Sequence, residues 1–426
     1  MKKVLIITYY WPPAGGPGVQ RWLKFVKYLP DFGVHPVVYV PKNPTYPLQD
    51  SNLISDIDSN RITVLKQKIF EPYAMASFFS KKETKKISSG IIAPERKQTF
   101  AQKALLWIRG NFFIPDARVF WVKPSVAYLS NYIKEQQIET VITTGPPHSL
   151  HLIGLQLKKQ MPAIKWIADF RDPWTTIGYY KDLKLSASSH QKHKKLEQQV
   201  LNKADQIVVT SAVTKAEFAV LTPKPIAVIT NGYDTEPIPP QELDIKFSLA
   251  HIGSFLSKRN PRIFWKAITE ILKEDATFKE HFELKLIGAV SQEIIDTIDE
   301  FKLTKFTRNL GYISHQDAVV EQRKSQVLLL IEIDSDETKC IIPGKLFEYM
   351  VSYRPILAIG PEDTDVEQII KETNTGVYTT YDEKHRIKET IKSYYALFLA
   401  NKLHVYPEGL ARYSRKNLTK KLTELL

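Results

Sequence analysis

Residues 4–29 read VLIITYYWPPAGGPGVQRWLKFVKYL. Val4 to Thr8 is a continuous apolar run rich in β-branched residues, the pattern of a strand buried on both faces. The run stops at Pro12-Pro13 and a glycine-rich turn. From there Val19, Leu23, Val26 and Leu29 fall near helical spacing. Strand, glycine loop, helix is how a βαβ unit with a parallel sheet begins. Two leading lysines superficially suit a signal peptide, but the apolar run is short, holds Tyr9 and Tyr10, and ends in Pro-Pro with no small-residue cleavage site. It is therefore expected to be the first strand of the fold. The glycine order GGPG is not a dinucleotide fingerprint. Pro17 removes a donor, and "VVYVPKN" closes the second strand without an acidic residue, which disfavours a nicotinamide-dependent enzyme.

The same alternation continues. Strands are expected at Val34–Val40, Glu139–Thr144, Lys165–Phe170, Gln206–Ser211 and Ile226–Asn231, with helices between most of them. Tyr233 to Asp244, rich in proline and polar residues, reads as an interdomain linker. After it the pattern restarts with strand "FSLAHIG", loop "SFLSKRNP" and helix "RIFWKAITEIL", and later strands "ELKLIG", "QVLLLIE" and "PILAIG". At 426 residues, two domains are the default. The economical architecture is two doubly wound α/β domains facing across a cleft, with ligands at the carboxyl ends of the strands.

A net charge of +13 favours a polyanionic partner: nucleic acid, an anionic membrane surface or phosphorylated substrates. One cysteine, Cys340, excludes an intramolecular disulfide and a Cys-based zinc site, and suits a reducing compartment. The longest apolar runs, such as Val327–Ile331, are far shorter than a spanning helix.

Several loops carry candidate chemistry. Gly15 and Gly16 let backbone N–H groups approach an anion at a helix start, or simply make a turn. Gly253, Ser254, Lys258 and Arg259 form a basic glycine turn suited to a diphosphate. Pro343-Gly344 precedes a helix start. Lys345 in its first turn opposes the helix dipole, a hint of a bound anion. Glu348, about one turn on, could accept two ribose hydroxyls. Asp169, Arg171 and Asp172 gather at a strand end, either as a base and its partners or as a structural Asp–Arg network. His148 and His151 sit in "TTGPPHSLH", where His148 could donate to a phosphate or sugar hydroxyl, or merely cap or pack. Asp334 and Asp336 lack a third metal ligand at matching spacing, so no metal site is assigned. Residues 78–113 interleave lysines and arginines with Phe100, Trp107, Phe112 and Phe113. A basic amphipathic helix there would lie on an anionic membrane, and no nucleic-acid motif accompanies it.

Together "YYWPPAGGPGVQR", "TTGPPHS", "ADFRDPW", "VITNGYD", "HIGSF" and "PGKLFEYMVSYRP" resemble the retaining glycosyltransferases of the GT-B fold, family 4 of the carbohydrate-enzyme classification, across essentially the whole chain. Bacterial transferases of cell-envelope polysaccharide synthesis are the most similar subgroup. The resemblance implies two Rossmann-like domains, residues 1–235 on the acceptor side and 236–405 on the nucleotide-sugar side. A C-terminal crossover helix, 406–426, would return to the first. It implies a UDP- or GDP-linked sugar as substrate, with no cofactor and no required metal. The acceptor would be a lipid-linked envelope glycan. Glu348 would bind ribose, and Lys258 and Arg259 the diphosphate. Gly15 and Gly16 would face the reaction centre, and Asp169, Arg171 and Asp172 would stand where relatives place a catalytic or sugar-contacting histidine. It also implies a hexosyl transferase at the cytoplasmic face of the plasma membrane. Cys340 departs from the pattern: it stands where the family has the first of two glutamates, with Glu337 nearby. That departure motivates the alternative of a catalytically inactive scaffold at the membrane.

Overall fold

The computed structural model describes residues 1–46, 48–71, 100–234 and 241–426. The chain divides into two units: Met1–Thr230 with Arg415–Leu426, and Asn231–Ser414.

The first unit holds a seven-stranded sheet of β1 (Lys2–Ile7), β2 (Val34–Pro41), β3 (Thr63–Gln67), β4 (Thr140–Gly145), β5 (Lys165–Phe170), β6 (Gln206–Val209) and β7 (Ile226–Val228). Its order is β3-β2-β1-β4-β5-β6-β7, and every pairing is parallel. Ile6 pairs with Val38 on one side and Ile142 on the other. Val4–Ile7 are fully buried, as a parallel strand covered on both faces requires. The helix Pro17–Tyr28 buries Val19, Trp22, Leu23 and Val26 against this core. Pro17 sits in its first turn, where a missing N–H costs nothing. Gly16 just before it has φ +89°, a conformation open to glycine and strained for other residues. The strand order reverses beside β1, so the carboxyl ends of β1 and β4 mark the switch point where such sheets bind ligands.

The second unit repeats the plan with β8 (Phe247–Ile252), β9 (Phe282–Ile287), β10 (Thr307–Gly311), β11 (Val327–Ile331), β12 (Ile356–Gly360) and β13 (Gly376–Thr380). The order is β10-β9-β8-β11-β12-β13, again parallel, with its switch point beside β8. One face packs on the helix Arg262–Glu274 through Phe264, Trp265, Ile268 and Ile271. The other packs on Gly344–Met350 and Asp365–Thr373 through Leu346, Phe347, Val366 and Ile370.

The doubly wound α/β reading is what the chain adopts in each unit. Three strands escape it: β3, β10 and β13, all at sheet edges and rich in Thr, Lys, Arg and Asn. An edge strand faces water and loses the apolar signature. Conversely, the strand expected through Ser211 stops at Val209. Ser211 Oγ instead accepts the Thr214 N–H at 3.1 Å and caps the helix Ala212–Ala219.

The tail joins the first unit only from Arg415. Residues 406–414 stay with the second, where Tyr413 carbonyl accepts the Tyr233 N–H at 3.1 Å. The helix Arg415–Thr423 then buries Leu418 and Leu422 in the first core, and Arg415 donates to Gln20 at 2.8 Å. Of the expected linker, residues 235–240 lie outside the described residues. So does most of the basic-aromatic segment 78–113, whose last part is the helix Phe100–Phe112.

Candidate active site

In the first unit the loops after β1, β4 and β5 carry the candidates. The Gly15 N–H donates to Leu48 carbonyl at 3.0 Å, and Asp50 N–H returns to Pro13 carbonyl at 2.8 Å. Gly15 is therefore small because it packs on Asp50, and its amide is not free for an anion. Gly16 shapes the turn. Gly18, which the sequence did not single out, has its own constraint: a Cβ there would strike Arg171, whose Nη1 donates to Gly18 carbonyl at 2.8 Å.

Arg171 also donates through Nη2 to Pro146 carbonyl and lies over the Tyr10 ring at 5.5 Å. It ties the three loops together, the structural alternative for this residue.

Asp169 corrects its reading as a base. It is fully buried, and Arg21 Nη2 and Nε reach its two oxygens at 2.7 and 3.3 Å. Trp22 Nε1 and Thr144 Oγ1 add hydrogen bonds at 2.7 and 2.9 Å. Burial alone would raise its pKa, but the Arg21 charge and these donors hold it below the ordinary value. With its oxygens so occupied, Asp169 holds the helix Pro17–Tyr28 to β5 and cannot take a proton from substrate.

Asp172 differs. It is half-buried, and among the described residues nothing donates a hydrogen bond to its carboxylate. Burial raises its pKa, with Arg171 opposing. Of the two aspartates it is the one able to orient or deprotonate a hydroxyl.

His148 stacks on Trp174 with centroids 4.8 Å apart and planes within 3°. Both ring nitrogens are buried without a partner. Burial, with neighbouring His151 and Arg171, keeps its pKa well below the ordinary imidazole value. It is therefore a neutral group at pH 7, able to donate one N–H and accept at the other nitrogen, not an imidazolium for phosphate. Nor does it cap: Asp116 takes the Ser149 N–H at 2.9 Å and the Ser149 hydroxyl at 2.8 Å.

In the second unit, Gly253 ends β8 with φ +114°, and its N–H is spent on Ile287 carbonyl at 2.7 Å. Ser254 and Lys258 are exposed. Arg259 is half-buried, its Nη1 3.4 Å from Ser254 carbonyl and its Nε buried without a partner. Burial lowers its pKa, and Glu332 opposes the shift.

The helix Gly344–Met350 is only two turns long, so a dipole argument for Lys345 carries little. Its amine turns back onto the end of β8, 3.0 Å from Ile252 carbonyl and 3.1 Å from His251 Nε2. Gly344 is exposed at the helix start. Glu348, one turn on, is oriented by Gln322 Nε2 at 3.1 Å, with His315 at 3.9 Å. The structure thus gathers Gly253, Arg259, Lys345 and Glu348 and leaves Lys258 in solvent. His251 and Gln322 are partners that local sequence could not reveal. Cys340 is buried, its thiol 3.9 Å from Glu337 carbonyl. Asp336 is spent on Lys339 at 2.8 Å, and no three metal-ligating side chains converge among the described residues.

Residues 84–237 match the model of Glycosyltransferase Family 4. Solved structures similar to the whole chain include glycosyltransferases. One is a glycosyltransferase from Rickettsia africae: 13% identity, 100% of this chain and 97% of that one covered, TM-score 0.60. Another is the lipopolysaccharide outer core galactosyltransferase WaaB, apo form: 13% identity, 100% and 99% covered, TM-score 0.59. A third is a Staphylococcus aureus TarM mutant in complex with Fondaparinux, alpha-GlcNAc-glycerol and UDP: 12% identity, 100% and 99% covered, TM-score 0.58. No curated protein matches the chain. At these identities the likeness is one of fold, and the fold is GT-B.

Proposed function

We propose that the protein is a hexosyltransferase that moves a sugar from a UDP- or GDP-linked donor to a hydroxyl of a lipid-linked envelope glycan, with retention of configuration. The observation that carries this reading is the cluster at the switch point of the second unit: Lys345 and Arg259 beside the Gly253 turn, with an oriented carboxylate, Glu348, one helical turn away. Two basic side chains and a ribose-competent acceptor suit a nucleoside diphosphate. The family match over residues 84–237 supports the same activity.

The bond from the sugar's anomeric carbon to phosphate oxygen breaks, and the acceptor oxygen bonds to that carbon on the same face. The acceptor proton passes to the departing phosphate. Lys345, Arg259 and the exposed Lys258 stabilise the negative charge that develops on the diphosphate, a transition-state effect. In the first unit, Asp172 and the neutral His148 are the side chains suited to orienting a hydroxyl. No metal or cofactor is required in this scheme.

Residence on the inner face of the plasma membrane belongs to the same proposal. The helix Phe100–Phe112 leaves Trp107, Ile108 and Phe112 exposed beside exposed Lys103. Apolar rings among cations suit an anionic bilayer surface. No helix among the described residues is long and apolar enough to cross one.

A thermal-shift screen against UDP-, GDP- and other sugar nucleotides tests the donor. Stabilisation by at least one is expected, and none by any would end the reading. Glu348→Ala should weaken nucleotide binding at least tenfold, the loss of about one charge-assisted hydrogen bond. Buried Cys340 in place of the family's glutamate favours the second reading, a catalytically inactive scaffold. Nucleotide binding without sugar transfer to any lipid-linked acceptor would select it.

A further inference from the structure

Lys345 sits where an ammonium is poorly accommodated. Its Nζ lies 3.0 Å from Ile252 carbonyl and 3.1 Å from His251 Nε2. A Cβ built on Gly253 would come within 3.3 Å of it, so the amine stands directly over the glycine turn. No carboxylate lies at ion-pair distance from it among the described residues. Four titratable or charged groups face it: His251 from β8, Arg259 from the turn Ser257–Arg259, and Glu348 and Tyr349 on its own helix, the Tyr349 hydroxyl donating at 3.2 Å to the same Ile252 carbonyl. Arg259 repels an ammonium there and Glu348 attracts it. His251 cannot help by ionising. It is fully buried, stacked on Phe255 at 4.2 Å, with Nδ1 unpartnered, and burial keeps it neutral.

Lys345 is half-buried, and a cation there, beside a second cation and with no paired carboxylate, is costly, so giving up a proton becomes the cheaper state. Burial and Arg259 accordingly bring the Lys345 amine down to about 7. As a neutral amine it still donates one N–H to Ile252 carbonyl and one to His251 Nε2. A diphosphate beside Gly253 would supply the missing counter-charge and reverse the preference.

On the donor reading above, we infer that Lys345 is a proton-loading residue, largely neutral in mildly alkaline solution in the absence of an anion and protonated from solvent when a nucleoside diphosphate binds beside Gly253. One proton moves from water to Nζ, the amine becomes an ammonium, and no bond of the nucleotide changes. His251 is a positioning residue that holds the amine over the turn without adding charge. The consequence is linkage. Above pH 7, nucleotide affinity falls by up to about tenfold per pH unit, until the pKa of the bound state is reached.

Isothermal titration of the full chain with UDP and with GDP tests this at pH 8, in buffers of different ionisation enthalpy. The terminal phosphate of either nucleotide is already fully ionised there. Uptake of about one proton per bound nucleotide is expected. Lys345→Arg, which carries its charge permanently, should bind without proton uptake and with a flat pH profile. Lys345→Met should bind more weakly, also without uptake. Binding by the unmodified protein with no buffer dependence would overturn this inference and leave the donor reading intact. Absence of binding by either nucleotide would remove both. Because the decisive measurement is on the unmodified protein, a variant that fails to fold does not blunt the test.

Discussion

Asp169 and Asp172 stand three positions apart at one strand end, and their surroundings give them opposite tasks. Asp169 closes a buried ion pair with Arg21, so Asp169→Asn leaves a guanidinium buried without its counter-charge. A loss of about 3–5 kcal/mol is expected in urea unfolding. Asp172→Asn should leave stability nearly unchanged and lower transfer about tenfold or more, the loss of a charge-assisted hydrogen bond that orients the hydroxyl. The Asp172 pKa is raised by burial, so the acid limb of the transfer rate should lie above the ordinary aspartate range and vanish in Asp172→Asn. An unshifted limb would remove it from the reaction.

Glu332 offers a second test at this scale. It is buried at the end of β11, with Tyr378 Oη 2.8 Å from one of its oxygens and 2.7 Å from Pro361 carbonyl. One hydroxyl hydrogen cannot serve two acceptors, so a proton on Glu332 completes the set. Burial raises its pKa to about 8. A raised folded-state pKa gives stability that is full below the unfolded value and lost as pH rises through 8. Glu332→Gln should therefore match the unmodified protein at pH 5 and unfold at higher urea at pH 9. The difference would be on the order of 1.4 kcal/mol for each pH unit crossed.

Between elements, one tight approach that the sequence does not announce is that of the helix Ser149–Gln160 on β5. A Cβ at Gly154 would run into the Trp166 indole, which is fully buried and pinned by Nε1 donating to Thr143 Oγ1 at 3.0 Å. Alanine would gain about 1 kcal/mol of helix propensity there. The indole has nowhere to go, so overpacking of about 1–3 kcal/mol wins and Gly154→Ala should unfold at lower urea. A gain in stability would show that this contact is looser than it stands.

At the scale of the molecule, the chain leaves its first unit, builds the second, and comes back. Leu418 and Leu422 are buried in the first core, each worth about 1.5–3 kcal/mol. Removing residues 415–426 should cost the first unit several kcal/mol while hydrogen exchange across β8–β13 stays unchanged. Equal loss in both units would show that they unfold together. Starting the deletion at residue 406 instead would also remove the Tyr413 carbonyl that holds Tyr233, and should loosen the second unit too.

The sequence by itself determined the alternation of strand and helix, the two restarts at Val4 and Phe247, and the glycine turns at both switch points. These are local signals, written in spacings of a few residues. It also brought out Glu348 and Lys345 by their place in one short segment. Only the tertiary structure decided that Asp169 is consumed by Arg21, 148 positions away, while Asp172 is free. The same holds for Lys345, whose amine meets His251 94 positions away. A side chain's role is set by what it touches, and the partners that assign these roles come from distant strands brought side by side by a parallel sheet. No local spacing encodes that.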